Sequence, residues 1–348
     1  MVLNRLVTPQ YQLNEIVLLR TIMTLLLIAT HSFSMFSENW VYPNGIGHCN
    51  LYMWISHFVS HAMLGGYTFI SGYLLTYQKK KILQQSYKTF VYKKSQRILL
   101  PGIIFSILYV YMFKEHTFSS LISFCYKLGV GHMWYLPMLM WCMIFGYYLL
   151  KHDISLKKAL IISGSLIFFY FLPLPFGLSS FFYYAIYFIL GMVAYRYKGK
   201  GNKVVLSKYK LLLRWGEYLI VFTISTILIL YLSSFPKNDL LSELAIKETR
   251  TYFRVFSGIF GVWMYWHICL YVTSRHNLPF WVHILSRYSF GIYLYQQFIL
   301  LILLYHTSLP QLVGTIPLPW ICLLITTIMS LGLSFLTSKT KVGKYLLG

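Results

Sequence analysis

Residues 13–36 read LNEIVLLRTIMTLLLIATHSFSMF, and this stretch decides the class of fold. Its apolar run has the length of about 20 residues that a bilayer span requires. Two residues interrupt it, Arg20 and His31. Eleven positions is about three turns of an α-helix, so both side chains share one face, roughly 16 Å apart along the axis. Ionisable groups within a span mark a candidate functional site.

The rest of the chain agrees with that reading. Over 348 residues, 57% are hydrophobic and 11% are charged, a balance that no soluble domain could hide in one core. The expected fold is all-α, a single polytopic membrane domain over residues 1–348. Apolar segments fall at 16–36, 51–76, 97–113, 132–150, 159–174, 177–195, 212–234, 253–273, 286–305 and 317–337. The formal net charge of +22 could suggest nucleic acid, so its placement matters more than its sign. The segments 77–97 and 196–214 carry seven Lys and Arg each, and basic residues recur at alternate connections. The intervening connections hold most of the acids. This is the positive-inside pattern, which predicts ten spans with both termini cytoplasmic and needs no nucleic-acid partner. The first span is long and lacks a small-residue cleavage site, so it is expected to be retained.

Several residues could carry chemistry. Arg20 sits at the cytoplasmic entrance of the first span, where it could snorkel or bind an anion. His31, deeper in, could hold helices together or move protons. Ser71, Gly72, Tyr73 and Leu74 close the second span, beside the most basic connection. That connection ends at Lys94 and Arg97, three apart on one helical face, either a clamp for a diphosphate or a solvated cluster that sets topology. His132 and Trp134 open the fourth span at its outer end, where an aromatic belt is also expected. Glu217 lies one turn inside the seventh span and could pair with Arg214. His57 and His61 have two-histidine metal spacing without a third ligand, so no metal site is predicted.

In order, spacing and topology the chain resembles the acyltransferase-3 family of bacterial membrane O-acyltransferases. The resemblance rests on Arg20 and His31; on Ser71-Gly-Tyr-Leu74; on Lys94 and Arg97 followed by LLPG; and on GHMWYLP, YYAIYFILGMVAYRY and SRYSFGIYLYQ. Three positions depart from the family pattern. Lys94 replaces an arginine, Val17 replaces an acid, and Gln296 stands where a histidine is common. The resemblance implies transfer of an acyl group, most simply acetyl, from cytoplasmic acetyl-CoA or another acyl-CoA to a carbohydrate hydroxyl. Arg20 and His31 would be catalytic, with His31 as general base or as acyl carrier. Lys94, Arg97, Ser71 and Tyr73 would hold the donor, and His132, Trp134 and Glu217 the acceptor. It further implies a bacterial cytoplasmic membrane, lipid and carbohydrate partners, and either a self-sufficient membrane domain or a separate extracytoplasmic transferase or glycan-assembly machinery. The competing class is a polysaccharide or glycolipid transporter without covalent chemistry.

Overall fold

The computed structural model describes residues 13–37, 40–113, 126, 129–198, 207–235 and 240–347. Among these residues the protein is helical, with no strand. The helices are α1 (Asn14–Ser32), α2 (Asn50–Tyr77), α3 (Lys79–Leu83), α4 (Tyr87–Phe113), α5 (Tyr135–Lys151), α6 (Leu156–Leu166), α7 (Leu178–Lys198), α8 (Lys208–Ser233), α9 (Leu240–Thr273), α10 (Phe280–Tyr305), α11 (Leu309–Val313), α12 (Leu318–Lys339) and α13 (Lys341–Leu347). A helix lies at each of the ten expected positions. Among the described residues eight helices, counting the turn Gly131–Trp134 with α5, are long and apolar enough to cross a bilayer. The expected count of ten spans is not reached, because the helices at the second and fifth positions fall outside these eight. The protein is therefore a multi-pass membrane protein.

Two expected boundaries need correction. The connection expected at 235–254 is largely helix, because α9 begins at Leu240 rather than near 253. Nothing in LLSELAIKETRTYFR breaks a helix, and Glu243 lies four residues before Lys247, a favourable spacing. At about 51 Å, α9 outruns the roughly 30 Å hydrocarbon layer. The fifth segment is the reverse case. Its α-helix α6 has 11 residues and tightens into a 3₁₀ turn, Ile167–Phe171, before Pro173 and Pro175 end it.

Small residues set the packing. A Cβ on Gly72 of α2 would lie 1.9 Å from the Phe188 carbonyl oxygen of α7, and one on Gly191 of α7 would lie 1.9 Å from that of Phe69 of α2. The two backbones therefore touch reciprocally at two glycines, an approach that any side chain would block. Helix α1 is central, packed against α2, α9, α10 and α12. The chain after α1 folds back over that helix end. Its Val41 carbonyl accepts from the Tyr305 hydroxyl at 2.7 Å, and the Gly47 N–H donates to Thr315 at 3.1 Å.

Candidate functional site

Along α1, Arg20, Thr24 and His31 form one stripe. Thr24 Oγ1 donates to the Arg20 carbonyl at 2.8 Å and lies 2.7 Å from the Tyr67 hydroxyl of α2. The Arg20 guanidinium is close enough to Tyr67 to interact electrostatically. Among the described residues it has no carboxylate partner, since the ion pairs there use Asp153, Glu15 and Glu217 with other cations. A half-buried guanidinium left this way can take an anion.

At the other end of the stripe, His31 stacks on Trp40, ring centroids 5.8 Å apart, and meets His132 edge to face at 6.4 Å. His132 stands in the 3₁₀ turn Gly131–Trp134, and its preceding glycine is required there. Gly131 has φ +60°, and a Cβ on it would strike the Tyr109 ring at 2.8 Å. The turn is held on three sides. The His132 N–H donates to Gln297 Oε1 at 2.9 Å, its carbonyl accepts from the Tyr293 hydroxyl at 2.5 Å, and Nε2 lies 3.3 Å from the Leu294 carbonyl. A carbonyl can only accept, so Nε2 carries the proton and a neutral His132 keeps Nδ1 as a bare base.

That Nδ1 is buried with no hydrogen-bond partner among the described residues, as is Nδ1 of His31. Gln296, fully buried beside His31, likewise has both amide atoms without a well-formed partner. Buried polar atoms cost free energy when unpaired. Four of them belong to the His31–His132 pair and to Gln296 beside His31, where a polar ligand would satisfy them.

Between the two ends runs a column of hydroxyls. Tyr135 shares a hydrogen bond with Thr68 at 3.1 Å, its ring centroid is 6.0 Å from that of Tyr293, and Tyr293 is 5.2 Å from His132. Tyr67 lies within electrostatic reach of both tyrosines. Arg20 is thus linked to the histidine pair by Thr24, Tyr67, Tyr135 and Tyr293. Sequence reasoning missed all four: Thr24 was legible from its place one turn after Arg20, whereas only tertiary packing brings Tyr67, Tyr135 and Tyr293, on α2, α5 and α10, to this face of α1.

Other site residues fall into two groups. Lys94 and Arg97 lie on α4, Lys94 with its amine 5.9 Å from the Phe90 ring centroid and Arg97 exposed. Tyr109, farther along α4, lies 6.4 Å from His132, so Arg97 is about 18 Å below the histidine pair, close to the level of Arg20. Pro101, buried within α4, leaves the Arg97 carbonyl without its helical donor. Ser71 is half-buried and donates to the Tyr67 carbonyl at 2.9 Å, one turn from the column. Trp134 packs on Tyr135 and Tyr184 at 6.3 and 5.9 Å.

Tyr73 and Glu217 lie apart from this column. Tyr73 is fully buried, and its hydroxyl donates to Glu15 Oε1 at 3.2 Å. Glu15, itself buried, also binds the Lys198 amine, and the cluster ties α1, α2 and α7 together. Glu217 accepts from Arg214 at 2.6 Å, the pairing its spacing allowed, and the His267 imidazole is within electrostatic reach of it. His61 Nδ1 lies 3.3 Å from Ser257 Oγ, and among the described residues no group of three His, Cys, Asp or Glu could hold a metal ion.

No curated protein and no solved structure matches the chain. The family model described as an acyltransferase domain matches residues 13–339, nearly its whole length. The protein is therefore a membrane-bound acyltransferase, and it belongs to the acyltransferase-3 family.

Proposed function

We propose that the protein transfers an acetyl group from cytoplasmic acetyl-CoA to a hydroxyl of a surface or lipid-linked carbohydrate, in a bacterial cytoplasmic membrane with both termini inside. The observation that carries this reading is the polar column from unpaired Arg20 to the His31–His132 pair, with Arg97 near the Arg20 level. Lys94 and Arg97 hold the diphosphate of coenzyme A, Arg97 more firmly because its planar fork suits phosphate oxygens. The thin pantetheine arm then passes Arg20, Ser71 and Tyr67 to bring its thioester to His31. Tyr73 supports this wall through Glu15 rather than touching the donor.

His31 takes the proton from the acceptor hydroxyl as its oxygen attacks the thioester carbonyl. The new C–O bond forms, the C–S bond breaks, and the proton is returned to the departing sulfur. His132, with Nδ1 free, shares the acceptor hydrogen bond, and Trp134 stacks against the sugar ring. Glu217, paired with Arg214 and apart from this column, is given no acceptor contact in this scheme. Family membership disfavours a transporter without covalent chemistry. Ester-linked acetate on surface glycans, measured in a deletion strain complemented with wild type or His31→Ala, tests the proposal. Acetate lost with the variant at normal protein level is expected; acetate unchanged would refute the role of His31.

A further inference from the structure

A second polar feature lies on the other side of Trp134. Tyr184 packs on Trp134, Tyr183 on Tyr184 at 4.7 Å, and Tyr170 on Tyr183 at 5.1 Å. These four rings come from three elements: the turn at 131–134, α7, and the 3₁₀ turn that ends the short fifth segment. All four keep some solvent-accessible surface, and Trp134, Tyr183 and Tyr184 pack at the edge of the hydrophobic core. The hydroxyls of Tyr170 and Tyr184 have no hydrogen-bond partner among the described residues, which leaves two donors free for a ligand.

At the far end of the strip stands Arg254 of α9. Its guanidinium lies within electrostatic reach of Tyr170, Tyr183, Tyr184 and His61. The position is fixed by contacts of the helical turn that follows it. The Tyr187 hydroxyl donates to the Val255 carbonyl at 3.1 Å, Ser257 bonds His61, and Gly258 lets the His61 carbonyl approach to 2.8 Å from where a Cβ would sit. Arg254 is exposed and, among the described residues, has no carboxylate partner. An aromatic strip with free hydroxyls suits the flat faces and edges of sugar rings, and a free arginine at its end suits an anion.

We infer that this strip is a subsite for an anionic saccharide, whose carboxylate or phosphate sits on Arg254 and whose ring lies along Tyr183, Tyr184 and Trp134 toward the histidine pair. The inference rests on the carbohydrate-acceptor reading and adds to it a substrate class, a charged glycan. Carboxylate from an acidic sugar and phosphate from a lipid-linked carrier share this chemistry, and the experiment separates them.

Membranes holding the full chain are given labelled acetyl-CoA and the cell's own surface-glycan pool in three forms: untreated, carboxyl-reduced, and dephosphorylated. With wild type, transfer to the untreated pool is expected, and one of the two neutralised pools should lose it, which names the anion. Arg254→Gln should raise the acceptor KM about tenfold and leave the acetyl-CoA KM in place, with Arg254→Lys in between. Tyr184→Ala, which keeps the arginine, should also raise the acceptor KM. Equal transfer to all three pools, or an unchanged acceptor KM in Arg254→Gln, would overturn the subsite. Absence of transfer from wild type to the untreated pool would instead overturn the acceptor reading beneath it.

Discussion

The rings of His31 and His132 meet edge to face with centroids 6.4 Å apart, although 101 positions separate them in the chain. One imidazole rides on a long helix and the other on a four-residue turn held by Gln297 and Tyr293. The pair thus joins one imidazole placed by helical position to one placed by a hydrogen-bonded turn.

His132→Phe keeps the ring contacts and removes the free Nδ1. Transfer of labelled acetyl to glycan should fall by roughly 10²-fold, the usual scale for a lost acid–base group, with little change in acetyl-CoA KM. Activity within twofold of wild type would remove His132 from the chemistry.

Arg97→Ala should raise the acetyl-CoA KM about tenfold and weaken its dependence on salt, since one phosphate contact is gone. Lys94→Arg should lower that KM, because it restores planar geometry to the pair. Titrating donor at two ionic strengths checks both.

Gly72→Ala and Gly191→Ala should each destabilise the protein by about 1–3 kcal/mol or more, because the added carbon meets a backbone oxygen that has no side-chain freedom to yield. Gly164→Ala in α6, where nothing lies within 4 Å of the added carbon, is the control and should be neutral or stabilising. Thermal stability of the detergent-solubilised variants provides the readout.

Tyr73→Phe removes the hydroxyl that donates to Glu15 and should cost about 1 kcal/mol of stability while leaving the acetyl-CoA KM unchanged. A raised donor KM at unchanged stability would return Tyr73 to the donor path.

The sequence revealed those parts of the site that ride on one helix. Arg20 and His31 share a face through helical period alone, so their relationship was readable before any fold was known. His132 could be seen as a polar residue at a helix start, but its approach to His31 depends on how α10 carries Gln297 and Leu294 past α1, which no local pattern encodes. Gln296 is the instructive case. Its departure from histidine suggested a lost role, yet the position lies beside His31 with both amide atoms waiting for a partner. The Glu15–Tyr73–Lys198 cluster left one signal, a lone acid in the first turn of a span, and its partners come from 58 and 183 residues away. The helical start of α9 was missed because hydropathy finds the membrane edge, and helix propensity does not stop there.

Helix α2 contributes Tyr67, Ser71, His61 and the Gly72 contact. Its polar groups are covered by α1 and α7, against which it packs. During synthesis α1 emerges first and α7 more than a hundred residues after α2. The glycine-matched contact of α2 with α7 can therefore close only after α7 is made, whereas its contact with α1 can form from the start. The same residues that give this enzyme its interior also give it an assembly order.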